Sequence, residues 1–329
     1  MISKLKDAGF GALTELSAPR GSSDTIIVAG SSRSGTTWLA ELLRSLDGYK
    51  FLNEPLHLEW FPEAKKVGFG WRTHIAPNEK ARWARTYLQK ALTGRLRNRT
   101  GWKFESSTIE GKIYEHVVNR KLVVKFCRAH RLLHWMDSHF QVRGIVFLIR
   151  HPCAVLASML KHGAWENVTL PESGDPRDLA AIRSLPEVVQ RNVLRRLPSV
   201  ETRKEALVAT WCVDHYIPLH YHADGNYPWV MTTYEHLLTD CETEMAAILD
   251  ALNRDVPPSM EQRHRIPSSS ASDTLTSETR TQLSKWKSQL ATETIDKILD
   301  MAHSFGIQLY DDRLFPCRAR TAAQGISGN

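Results

Sequence analysis

The stretch TIIVAGSSRSGTTWLAELLRSL, residues 25–46, decides the fold. Its opening, Thr25 to Gly30, is β-branched, apolar on both faces and closed by glycine, the pattern of a buried parallel strand. Its end places Trp38, Leu39, Leu42 and Leu43 at helical spacing. Between them runs Gly30-Ser31-Ser32-Arg33-Ser34-Gly35-Thr36-Thr37. Glycines let such a backbone turn tightly, and the first amides of a helix have no partner within it. They therefore point outward from the positive end of the helix dipole, and an anion is what they fit. Hydroxyls on Ser34, Thr36 and Thr37 add donors.

Working outward, the strand-then-helix unit recurs. LVVKF (122–126) leads to the helical RLLHWM, and GIVFLI (144–149) leads to PCAVLASML, whose Pro152 suits a first helical turn. WVMTTY (229–234) is a further strand, followed by a helix through Met245 to Leu252. Strands alternating with helices predict an α/β fold with a P-loop-like central parallel sheet flanked by helices, its ligand beyond the strand C-termini. Residues 1–24 read as a polar lead, 25–312 as a single domain and 313–329 as a loose tail. Within the domain, about 161–221 reads as a helical insertion over the site of the second substrate.

Composition narrows the function classes. The chain has 329 residues, 42% hydrophobic and 24% charged, as a globular protein does. Its net charge of +7 suits an anionic ligand. The densest basic run, Lys80 to Lys103, reads as a solvated helix face, and no nucleic-acid motif accompanies it. Five scattered cysteines without a CxxC pair argue against zinc, redox motifs and a disulfide framework. The start of the chain lacks an apolar core of signal-peptide length, and no run of about 18 apolar residues occurs, so the expectation is a cytoplasmic protein without a membrane span.

The glycine loop departs from the ATP-binding motif GxxxxGK[ST], which needs lysine where Thr36 stands. Its cation lies three residues earlier, at Arg33, so the expected ligand is phosphate-like and balanced by arginine rather than by a metal. SSRSGTTWL resembles the 5′-phosphosulfate loop of the sulfotransferases that use 3′-phosphoadenosine 5′-phosphosulfate (PAPS). The motif spacing is most similar to the tyrosylprotein and carbohydrate branches. The resemblance implies that Arg33, Ser34, Gly35, Thr36, Thr37 and Trp38 bind the donor. It implies a 3′-phosphate contact from Arg150, at the end of VFLI, and from Ser158 eight residues later. Arginine's planar fork suits phosphate independently of any family. Tyr234-Glu235 resembles the family's Y-E-x-L segment. Ser270 and Lys285, fifteen residues apart, resemble the pair in the segment that closes over the nucleotide. The R-K-G element of the cytosolic branch is missing from that segment, and Trp286 reads as core.

Sulfuryl transfer to an alcohol needs a base for the acceptor proton and cations at the moving group and the bridging oxygen. NEPLHLEW supplies two candidate bases, Glu54 and His57. Glu54 lies 21 residues after Arg33, an interval that resembles the tyrosylprotein branch and favours it. Lys125, 25 residues before Arg150, is costly to bury in an apolar strand without a partner. The resemblance gives it and Arg33 the sulfonate and the leaving oxygen. His162 stands where that branch has a further basic phosphate contact. The expectation is metal-independent in-line transfer from PAPS to a hydroxyl of a small-molecule, glycolipid or carbohydrate acceptor. The alternatives are a P-loop-type nucleotide kinase or an inactive nucleotide-binding module. Trp60, Phe61, Trp71 and Trp165 are candidates for an acceptor wall.

Overall fold

Short apolar runs that bury both faces assemble into one sheet. The computed structural model describes residues 2–163, 187–196, 200, 202–220, 227–258, 260–263, 266–269 and 279–317. The strands are β1 (Ile26–Ala29), β2 (Tyr49–Asn53), β3 (Trp102–Lys103), β4 (Lys121–Phe126), β5 (Gly144–Ile149) and β6 (Val230–Thr233), in the order β3-β2-β4-β1-β5-β6. All neighbours are parallel except β3, which runs antiparallel to β2 at the edge.

Alternation along each strand divides the core in two. Ile27, Ala29, Val124, Phe126, Phe147 and Ile149 meet the helices Arg82–Leu92, Leu133–His139, Pro152–His162, Arg203–His220 and Thr292–Ser304. Ile26, Val28, Val123, Val146 and Leu148 meet Thr36–Arg44, Tyr234–Thr239 and Cys241–Ala251 on the other face. Each fully buried valine, leucine, isoleucine or phenylalanine among these contributes about 1.5–3 kcal/mol. Lys125 follows Val123 by two positions and therefore shares the face of the helix Thr36–Arg44. Because five strands run in parallel, their C-terminal ends share one edge, where the turns after β1, β2, β4, β5 and β6 converge.

Some elements lie outside the sequence expectation. β2 and β3 were not anticipated, and the polar lead contains a helix, Ile2–Ser17. The lysine that interrupts β2 explains the omission. Lys50 is buried, and its ammonium donates to the Ser17 carbonyl at 3.1 Å, the Ser17 hydroxyl at 2.9 Å and the His116 carbonyl at 2.9 Å. It thereby ties the ends of two helices to the sheet. Burial holds its pKa down at about 7. The basic run lies partly on Arg82–Leu92, which buries Ala84, Tyr87, Leu88, Ala91 and Leu92 and exposes Arg82, Arg85 and Lys90. Among the described residues no helix is long and apolar enough to cross a membrane. Residues 164–186, with Trp165, and Ser270 lie outside the described residues.

Candidate active site

The loop after β1 is fixed by its two glycines. At Gly30 a Cβ would lie 2.3 Å from the Leu148 carbonyl oxygen, so only glycine fits against β5. Gly35 has φ +95°, and a Cβ there would meet the Tyr234 ring at 2.5 Å. The Gly30 amide donates to Phe126 O at 3.3 Å, and the Ser34 amide donates to Ser31 O at 3.2 Å, while the Ser34 hydroxyl donates to the same carbonyl. Between the glycines, Arg33 takes φ +68°. A non-glycine residue there costs about 1–3 kcal/mol, a strain that surrounding contacts must hold. Two such contacts are the Arg33 Nε donating to Ser158 Oγ at 3.0 Å and the Arg150 Nη1 donating to the Arg33 carbonyl at 2.8 Å. Residues 117 and 125 positions away in the chain thus meet the loop directly.

Arg150 stands at the end of β5 with its guanidinium 4.2 Å from the Tyr234 ring centroid. Tyr234 is buried between Gly35, Arg150 and Trp38, a platform beneath the arginine. Trp38 is buried too, so its indole packs the loop helix against that tyrosine. Glu235, unassigned from the sequence, accepts from the His151 amide at 3.0 Å and the Tyr310 hydroxyl at 2.8 Å. Burial raises its pKa. The carboxyl locks the turn that presents Arg150 to the chain after the last helix. Trp286 is core, its ring stacked on His151 at 4.4 Å, which places the preceding Lys285 on a helix packed beside the β5 turn. Ser269 docks on the loop helix, where its amide and hydroxyl donate to the buried Glu41. His162 is exposed at the end of its helix.

Glu54 follows β2 in the left-handed region, φ +54°, and is 3% exposed. Its Oε1 accepts from the Cys127 amide at 2.7 Å and pairs with Lys125 Nζ at 3.1 Å, whereas Oε2 accepts from Arg128 Nη1 at 2.8 Å. Burial pushes this carboxyl's pKa up, but the charges of Lys125 and Arg128 outweigh it and hold the group at about 2. It is a fixed carboxylate.

The two oxygens face different surroundings. On the Oε1 side, Cys127 Sγ lies 3.5 Å from Thr36 Oγ1 at the start of the loop helix. On the Oε2 side, the Arg128 guanidinium lies over Trp71 at 4.7 Å, and Trp71 meets His57 edge-on at 5.1 Å. His57 stacks on Trp60 at 4.2 Å, and its Nδ1 is buried without a hydrogen-bond partner. Burial first, and then the Arg128 charge, lower its pKa to about 4, so the ring is neutral. Phe61 is fully buried core, which removes it from any wall.

The chain is similar in structure to sulfotransferases. It aligns with the sulfotransferase domain from the curacin biosynthetic pathway at 16% identity and TM-score 0.45, covering 84% of this chain and 96% of that one. With the sulfotransferase domain of the Synechococcus PCC 7002 olefin synthase the values are 17%, 0.44, 87% and 94%. With mouse sulfotransferase SULT7A1 complexed with PAP they are 13%, 0.41, 89% and 87%. No protein-family model and no curated protein sequence matches the chain.

Arg128 and the Cys127 amide were missed from the sequence. The available signal was position: both follow β4 at its C-terminal end, three and two residues after the lysine already singled out.

Proposed function

We propose that this protein transfers a sulfuryl group from PAPS to an acceptor hydroxyl. The observation that carries the reading is the joining of two anion grips in one cluster: Arg33 in the glycine loop bonds Ser158, and Arg150 bonds the Arg33 backbone. A donor phosphorylated at both 3′ and 5′ positions suits two such grips side by side. The loop amides and the hydroxyls of Ser34, Thr36 and Thr37 take the 5′-phosphosulfate, with Gly35 letting them converge and Trp38 bracing the helix behind them. Arg150 and Ser158 take the 3′-phosphate. Tyr234 supports Arg150, and the segment bearing Ser270 and Lys285 closes on the nucleotide.

Glu54 is the base and Lys125 its partner in timing. While Lys125 and Arg128 both hold it, the carboxylate is too weakly basic to take a proton at useful rate. The sulfonate, arriving on the loop side, draws Lys125 toward itself and toward the bridging oxygen. Oε1 then loses one of its two donors, and the carboxylate becomes more basic as the acceptor hydroxyl presents itself. Arg33 and Lys125 offset the charge that grows on the leaving nucleotide. His57 is less sensitive to such a movement, since burial is the first cause of its low pKa and the Lys125 charge comes behind those of Arg128, Glu54 and Glu59.

Calorimetry with 3′,5′-phosphoadenosine and with magnesium-ATP, followed by labelled transfer from PAPS in EDTA, tests the reading. Expected are binding of the bisphosphate and transfer that survives EDTA. Tight magnesium-ATP binding with no affinity for the bisphosphate would replace the reading with a nucleotide phosphotransferase.

A further inference from the structure

The Arg128 side chain is only 19% exposed, yet it uses its donors sparingly. Among the described residues its hydrogen-bond partner is Glu54, through Nη1, and Trp71 covers one face of the guanidinium. Arginine carries five N–H donors in a rigid plane, so most of that fork remains for something else. Trp71 holds the plane in place, and Trp71 is itself held. The next residue, Arg72, donates to Asp214 at 3.0 Å, and Arg131 donates to the same buried carboxylate at 3.1 Å. The fork is therefore presented from a rigid support.

Charge at this rim is unbalanced. Glu54 is one carboxylate shared between two cations, Lys125 and Arg128. Lys103 adds a third, its nitrogen 5.9 Å from the Trp60 ring centroid beside His57. Glu59, whose charge reaches His57, is exposed to solvent. Oε1 lies on the loop side that the donor takes, whereas Oε2 accepts from Arg128 on the tryptophan side, so Oε2 is the oxygen that meets an incoming hydroxyl. A hydroxyl bound there lies next to the unused part of the Arg128 fork.

We propose that Arg128 selects acceptors that carry a carboxylate or a similar oxyanion close to the hydroxyl that is modified. This rests on the sulfuryl-transfer reading for the role of Oε2. One guanidinium then bridges two carboxylates, Glu54 along one edge and the acceptor along another, and fixes the hydroxyl over the base.

The test is a panel of small hydroxy acids, each paired with its own methyl ester. Binding is measured by calorimetry on the full chain, with and without saturating 3′,5′-phosphoadenosine, so that anion selection is read even if no sulfuryl transfer occurs. The bisphosphate titration separately decides the donor. At least one acid should bind about 10-fold or more tightly than its ester, the size of one charge-assisted contact. That ratio should vanish in Arg128→Gln. In Arg128→Lys, whose point charge cannot serve two carboxylates in one plane, it should shrink without vanishing. The proposal is overturned if no acid outbinds its ester in the unmodified protein, or if either variant keeps the full ratio.

Discussion

Glu54 and Lys125 are joined twice. The Glu54 amide donates to the Lys125 carbonyl at 2.8 Å, continuing the β2–β4 ladder, and the Lys125 ammonium returns to Glu54 Oε1 at 3.1 Å. The backbone bond fixes the distance between the strands and so makes the side-chain pair independent of either residue's local freedom.

Glu54→Gln should lower transfer by about 10²–10⁴-fold, the range of general-base loss. Affinity for 3′,5′-phosphoadenosine should persist, because the glycine loop and Arg150 are untouched. The check is single-turnover rate beside calorimetric affinity. A near-normal rate would move the base to His57.

Lys125→Met should reduce transfer by about 10²–10³-fold, the loss seen when one donor at a developing charge is removed. The fold should survive, since Glu54 keeps the Cys127 amide and Arg128. Thermal melting separates the two effects. Collapse of the fold with no active fraction would mean the lysine is a structural counter-ion only.

Arg150→Ala should weaken 3′,5′-phosphoadenosine by about 10–100-fold, one or two charge-assisted hydrogen bonds. Adenosine 5′-phosphate should lose far less, and only through the freed Arg33 carbonyl. Equal losses for the two ligands would refute a 3′-phosphate role. Gly35→Ala should abolish both affinities, because its Cβ strikes the Tyr234 ring and its φ is +95°. Retained binding in that variant would show that the loop tolerates another backbone path.

Acid should unfold the protein in two stages. His57 and His130 have folded pKa values of about 4, set first by burial, against 6.5. Each favours folding fully above 6.5 and loses that contribution as pH falls toward 4, where the unfolded chain alone binds the proton. Glu54 and Asp214, both about 2 in the folded state, act lower down. Their contribution is complete above 4.5 and 3.8 respectively and is lost as pH falls toward 2. Denaturant midpoints followed from pH 7 to 3 should fall from about 6.5 downward, and more steeply below about 4.5. In Asp214→Asn the lower stage should flatten. A midpoint constant between pH 7 and 5 would rule out the buried neutral histidines.

How much was legible varies by element. β5 was bounded correctly from GIVFLI because an apolar run between polar neighbours has one reading. β2 was not read, because Lys50 breaks its apolar pattern, and the Ser17 carbonyl and hydroxyl and the His116 carbonyl, brought from distant helices, make that lysine tolerable. Arg128 was silent, and Glu235 was read as part of a motif without a role, for the same reason. Their partners, Glu54 at 74 residues' distance and Tyr310 at 75, are invisible to local pattern.

What the sequence determined by itself was the α/β class and the glycine loop between strand and helix, since these follow from neighbours along the chain. Tertiary structure alone decided that Arg33, Ser158 and Arg150 form one cluster, and that Glu54 is a carboxylate divided between a loop side and a tryptophan side. Parallel strands carry their C-terminal ends to one edge regardless of sequence separation, and Coulomb interactions at about 3 Å in a buried site depend on that edge.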